Sequence, residues 1–166
     1  VLLGPEMKST GEVMGIDKDF GLAYAKSQMA SQNSLPTKGL AFISLKDRHK
    51  NEGVDLAKQL IKLGFTLCGT EGTANRIIKN GIKCKKINKV SGGSPHIIDV
   101  LNSKKIALVI NTGGGKRAYR IQDSTSLRRS TLINKVPYCT NMSTAYAFLE
   151  AIKSLKTKKI EVKSLQ

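Results

Sequence analysis

Thr70-Glu71-Gly72-Thr73 sets two hydroxyls and a glycine between an apolar, β-prone segment (Gly64-Phe65-Thr66-Leu67-Cys68-Gly69) and a helical pattern. A strand that stops in such a turn and opens a helix leaves backbone N–H groups unpaired, flanked by the two hydroxyls. Those donors and the positive helix end favour an anion such as a phosphate, and Gly72 lets it come close. The plainer expectation is that Thr73 or Thr70 merely caps the helix. A second candidate is Asn111-Thr112-Gly113-Gly114-Gly115-Lys116, where glycines beside a lysine form a backbone concavity able to hold an anion. It lacks the G-x-x-x-x-G-K-[ST] spacing of a P-loop. Gly113-x-Gly115-x-x-Ala118 matches the dinucleotide fingerprint only formally, after a late strand and with no clear helix beginning there. Ser94, His96 and Asp99 resemble scattered parts of a triad, but no nucleophile elbow surrounds Ser94, and Pro95 with Asp99 reads more simply as a helix start.

The elements that must position these residues follow from hydrophobic spacing. A helix starting at Asp17 or Asp19 is expected through Phe20, Leu22, Ala25 and Met29, after a Ser9-Thr10-Gly11-Glu12 stretch with capping-box spacing. The polar stretch 31–36 ends in Pro and reads as a linker, which places a domain boundary near Pro36. Strands are expected at 40–45, 65–68, within 82–90, at 106–111 and 136–140, with an edge strand at 160–162. Between them lie helices through Val54, Ala57, Leu60 and Ile61 (closed by Gly64), over 73–79 (closed by Asn80-Gly81), from Pro95 through Ile97, Ile98 and Leu101, from Asp123 or Ser124 through Leu127, Leu132 and Ile133, and over 143–152. The run 106–111 is apolar throughout, as a parallel strand buried on both faces should be. Strand–helix alternation with short loops implies an α/β fold, a central parallel sheet with helices on both faces. Ligands then sit beyond the carboxyl ends of the strands. That rule gathers Ser44, the Thr70 to Thr73 turn and the Asn111 to Lys116 loop at one edge. Lys50 and Lys89 are further basic candidates, each expected on its own to be a solvated surface lysine.

The totals narrow the class. At 166 residues and 40% hydrophobic content the chain has room for one domain with a proper core and a small appendage. No apolar run approaches a membrane span, and no leader pattern is visible. The chain begins Val1-Leu2-Leu3-Gly4-Pro5 inside what reads as a strand, so it is expected to be part of something longer. Cys68, Cys84 and Cys139 are widely spaced among apolar residues and read as free thiols of a reducing compartment, here the cytoplasm; with His49 and His96 alone, no zinc site is expected. The net charge of +16 suggests nucleic acid, but the excess is mostly scattered Lys and aromatics are only 5%, too few for stacking platforms. Arg128 and Arg129 lie about 100° apart on a helix, so one is expected to pair with an acid or pack against a neighbouring domain.

Six stretches recur in order in the large subunits of carbamoyl-phosphate synthases, which the whole chain resembles. They are Ser9-Thr10-Gly11-Glu12-Val13-Met14-Gly15 before a helix, the strand ending at Ser44, Thr70-Glu71-Gly72-Thr73-Ala74, Asn88-Lys89-Val90, Ile110-Asn111-Thr112 and Arg128-Arg129-Ser130. The resemblance implies that 1–36 is the end of the preceding synthetase (ATP-grasp) unit plus a linker, and that 37–166 is a regulatory domain. That domain would have the methylglyoxal synthase-like fold, a Rossmann-like three-layer α/β/α arrangement. It implies no catalysis by this part. The parent would be a ligase that makes carbamoyl phosphate for pyrimidine and arginine biosynthesis from bicarbonate, ATP and ammonia. It would use ATP with Mg, K ions being a further candidate, and a glutaminase small subunit as partner. A nucleotide monophosphate of the UMP or IMP type would be the effector, with ornithine acting nearby in some members. Carried over by position, its phosphate would be held by Thr70, Thr73, Lys89 and the Asn111-Thr112 loop, with Gly72 and Gly113 close and Ser44 and Lys50 at the rim; only the resemblance singles out Lys89. The Thr/Lys set is more like the nucleotide-responsive kind than the mitochondrial, acetylglutamate-dependent kind. Two departures stand out. Gly113 replaces a hydroxyl common in relatives, and Ser94 follows Gly92-Gly93 where methylglyoxal synthases carry the aspartate base. The rival expectations are a phosphate-eliminating lyase of that type and a basic nucleic-acid module, which would show a steep salt dependence.

Overall fold

The computed structural model of the chain describes residues 13–94, 96–113 and 118–162. Helix α1 (Phe20–Ala30) is followed by strand β1 (Gly39–Ser44), a 3-10 turn (Asp47–His49) and α2 (Lys50–Lys62). Then come β2 (Phe65–Gly69), α3 (Glu71–Lys79), the two-residue β3 (Lys85–Lys86), α4 (Ile97–Asn102), β4 (Ile106–Asn111), α5 (Ala118–Ile133), β5 (Tyr138–Cys139) and α6 (Met142–Thr157). The five strands form one sheet in the order β3-β2-β1-β4-β5, every pair parallel.

Period-2 alternation of the strands feeds two cores, which is why the sheet needs a helical layer on each face. Ala41 and Ile43, Phe65 and Leu67, and Leu108 and Ile110 face the larger core with residues of α1, α2, α3 and α6. Phe42, Cys68 and Val109 face the smaller one, closed by Ile97 and Leu101 of α4 and Leu127 of α5. The expected three-layer α/β/α architecture is the one observed. At the entry to β1 the pairing with β4 slips past Ala107. Gly39 sits there at φ +126, and a Cβ on it would meet the Ala107 Cβ at 2.6 Å, so no side chain fits.

Helix α1 packs along α6. Gly21 brings the two backbones together: a Cβ there would lie 2.5 Å from the Glu150 carbonyl oxygen. Asp19 caps α1 by accepting from the Leu22 N–H at 2.9 Å, which settles the choice between Asp17 and Asp19. The same carboxylate accepts from Ser154 Oγ and Lys158 Nζ, both at 2.6 Å, and these partners hold it well below the usual carboxylate range.

Several expected elements differ. Helix α5 begins at Ala118 rather than at Asp123 or Ser124, because nothing between 118 and 123 breaks a helix. Leu132 and Ile133, expected in its apolar stripe, are 73% and 71% exposed. The strand expected within 82–90 shrinks to two exposed lysines at the sheet edge, a common way to blunt an edge. Helix α4 starts after His96, and Pro95 lies outside the described residues, as do the capping-box stretch 9–12 and the first residues of the chain. Residues 160–162 form no strand, and Val162 is 96% exposed, so it offers no apolar face for pairing. The three cysteines are free thiols; burial pushes Cys68 and Cys139 up to about 12 and Cys84 to about 11. No described helix is long and apolar enough to cross a membrane.

Candidate functional site

The strand order reverses between β1 and β4: the chain winds outward through β2 and β3 on one side, then through β5 on the other. Such a switch point leaves a crevice at the carboxyl ends of the strands. Here Ser44 is the register partner of Asn111, and Ile43 that of Gly69, so the three strand ends are level. They open into a cleft of about 460 Å3. The turn after β2 enters α3 directly. Thr73 and Ala74 donate their N–H groups to the Thr70 carbonyl, at 2.9 and 2.8 Å, which leaves the N–H groups of Glu71 and Gly72 at the helix start without intrahelical acceptors.

The hydroxyls are tied to one another. Thr70 Oγ1 lies 3.4 Å from both Ser44 Oγ and Thr73 Oγ1, with one proton to give to either, and Thr73 Oγ1 accepts from the Leu45 N–H at 3.0 Å. Thr70 stands at the N-cap position of α3 with no side-chain cap bond, so neither threonine is the simple cap that spacing allowed. Thr112 is buried and accepts from the Lys46 N–H at 3.2 Å; the His49 ring meets the same oxygen at 3.0 Å. Asn111 donates from Nδ2 to the Tyr138 hydroxyl at 3.1 Å and accepts the Gly113 N–H at 3.0 Å. Arg128 lies over the Tyr138 ring, 6.0 Å from its centre, so the arginine packs on an aromatic ring.

Positive charge surrounds this polar floor. Lys46, Arg48, Lys50 and Lys89 line the cleft, with Asp47 and Asp123 among them. Lys50 pairs with Asp47 at 2.6 Å, and its Nζ comes within 3.0 Å of where a Cβ on Gly72 would stand. The lining also has an apolar part, Phe42, Val90, Ile97 and Leu127, which belong to the smaller core. The cleft therefore combines groups that suit a multiply charged anion with surface that suits an apolar body.

A family model described as the MGS-like domain matches residues 52–140. The chain belongs to this family. The chain is 48% identical over all 166 residues to the carbamoyl phosphate synthase large chain of Mesorhizobium japonicum. Over 99% of its length it is 49% identical to the carbamoyl phosphate synthase large chain, C-terminal section, of Aquifex aeolicus and 47% identical to that of Methanopyrus kandleri. It spans only 14% of the first of these proteins and 30% of each of the other two. The expected relationship to carbamoyl-phosphate synthase large chains is thus found. In fold it is similar to the crystal structure of methylglyoxal synthase from Elizabethkingia anophelis, with TM-score 0.53, 18% identity, and coverage of 70% of this chain and 80% of that one.

Ser44, Lys50, Thr70, Gly72, Thr73, Lys89, Asn111 and Gly113 all border the cleft. Thr112 lies beneath it, bracing the turn after β1. A Cβ on Gly113 would meet the Asn111 Oδ1 at 2.7 Å, so a side chain there requires the Asn111 amide to shift. Gly114, Gly115 and Lys116 fall outside the described residues. Lys46, Asp47, Arg48, Asp123 and Ser124 line the cleft without having been anticipated. The last two read as a helix start and so as caps, which hid their place on the cleft wall. Ser94 is occupied elsewhere: its Oγ donates to Asp99 Oδ2 at 2.8 Å, and the same oxygen accepts the His96 N–H at 2.8 Å, closing the start of α4.

Proposed function

We propose that this MGS-like domain is the effector-receiving C-terminal section of a carbamoyl phosphate synthase large chain. In this reading it binds a nucleotide monophosphate of the UMP or IMP type and does no chemistry itself. The observation that carries the reading is the cleft at the β1/β4 switch point. There the start of α3, Ser44, Thr70 and Thr73, Lys50 and Lys89, and the apolar Phe42, Val90, Ile97 and Leu127 line one cleft. The phosphate takes the N–H groups of Glu71 and Gly72 and the two lysines, and the base lies on Phe42, Val90, Ile97 and Leu127. Residues 1–36 are the end of the preceding synthetase unit. The rest of the large subunit and a glutaminase small subunit are the partners, in an ATP-dependent synthesis of carbamoyl phosphate. Bound nucleotide alters that synthesis only through different affinities for two arrangements of the large chain.

Calorimetric titration with UMP, IMP and inorganic phosphate tests the proposal. Saturable one-to-one binding, tighter for a nucleotide than for phosphate, is expected; failure of all three to bind overturns it. Lys89→Ala should weaken the nucleotide about threefold to tenfold, the loss of one exposed charge-assisted contact. Unchanged affinity removes Lys89 from the site.

A further inference from the structure

The turn joining β1 to α2 carries an arrangement that the phosphate-site reading does not use. Arg48 Nε donates to His49 Nε2 at 3.1 Å. A guanidinium has donors and no acceptor, so that ring nitrogen must present its lone pair. In the neutral ring the proton is thereby assigned to Nδ1, which donates to Thr112 Oγ1 at 3.0 Å. Thr112 is buried at the end of β4 and also holds the Lys46 N–H. The series runs from a fixed strand end, through one imidazole, to a guanidinium that lines the cleft. A long flexible side chain would otherwise be expected to lose rotamer entropy on meeting a ligand. Here its Nε is held, and the two terminal nitrogens keep the planar fork that matches phosphate oxygens.

We propose that Arg48 is a further anion contact of this site and that His49 is its positioning residue, anchored on Thr112. This rests on the phosphate reading of the cleft. Arg48 lines the same cleft as the start of α3, so the bound phosphate takes both the helix-end N–H groups and the guanidinium fork.

Titration of inorganic phosphate and UMP into the unchanged chain and four variants tests it. Arg48→Gln should weaken both ligands about threefold to tenfold. His49→Ala should lose as much, and the double variant no more than either alone, because both changes release the same fork. His49→Gln places an amide oxygen near the Nε2 position and should recover most of the affinity, which a purely structural role for His49 would not produce. Unaltered affinity in Arg48→Gln, or additive losses in the double variant, overturns the assignment while leaving the phosphate site standing. If the unchanged chain binds neither ligand, both the site and this refinement of it fall.

Discussion

The residue scale is where spacing misled most. Thr73 sits three positions after Thr70 and invites the reading of a cap. On the anion-site reading, Thr73→Val should weaken binding with little loss of stability, whereas a plain cap would show a large loss. The Thr73 oxygen instead accepts the buried N–H of Leu45, just past the end of β1. Valine would leave that N–H unsatisfied, at a cost of about 1–3 kcal/mol. Thr73→Val is therefore expected to lower the denaturation midpoint markedly as well as weaken the anion; unchanged stability in urea would show that Leu45 finds another acceptor. Thr112 illustrates the same blindness, since its bonds to Lys46 and His49 cross more than sixty positions and leave no local pattern in the sequence. Glycines, hydroxyls and strand ends were legible because each obeys a local or topological rule; cross-braces obey neither. The thiols behave differently again. An unfolded cysteine ionises near pH 8.5, whereas burial raises Cys139 to about 12. Between those values the folded state holds the extra proton, so this contribution falls as pH rises. Cys139→Ala should remove part of the stability lost between pH 8 and pH 10, measured by thermal melts at each pH.

At the scale of elements, the apolar runs ending at Ser44, Gly69 and Asn111 were readable because strands buried on both faces have few alternatives. The start of α5 was not, because Asp123 and Ser124 are good caps that the folded chain does not use as caps. The helix–helix contact of α1 and α6 depends on a single missing side chain at Gly21. Alanine there would gain about 1 kcal/mol of helix propensity. It would also drive a methyl to within 2.5 Å of the Glu150 carbonyl, a clash that backbone on both sides cannot easily relieve. Overpacking of this kind costs about 1–3 kcal/mol. Gly21→Ala is expected to be net destabilising by calorimetry, while phosphate affinity at the distant cleft stays within error. A rise in melting temperature would show that the helices can separate at no cost.

For the whole molecule, a formal charge of +16 spread over one small domain means mutual repulsion as well as attraction for anions. Screening acts on both. Raising sodium chloride from about 20 to 300 mM, which shortens the Debye length severalfold, should raise the melting temperature and weaken phosphate binding together. A nucleic-acid module would lose polyanion affinity far more steeply, by orders of magnitude over the same range. The parallel sheet and its reversal at β1/β4 also explain why the cleft was legible in the sequence: its location follows from strand order, whatever the side chains. One further consequence comes from how the cleft is divided among chain segments. The floor is assembled from the ends of β1 and β4 and the start of α3, whereas Lys46 and Arg48 ride on the short exposed turn after β1 and Lys50 opens α2. The charge at the rim is therefore set by three side chains close together in the chain: exchanging those of Lys46, Arg48 and Lys50 would change the sign of the rim while Leu45, the Lys46 N–H and His49 keep the turn tied to Thr73 and Thr112.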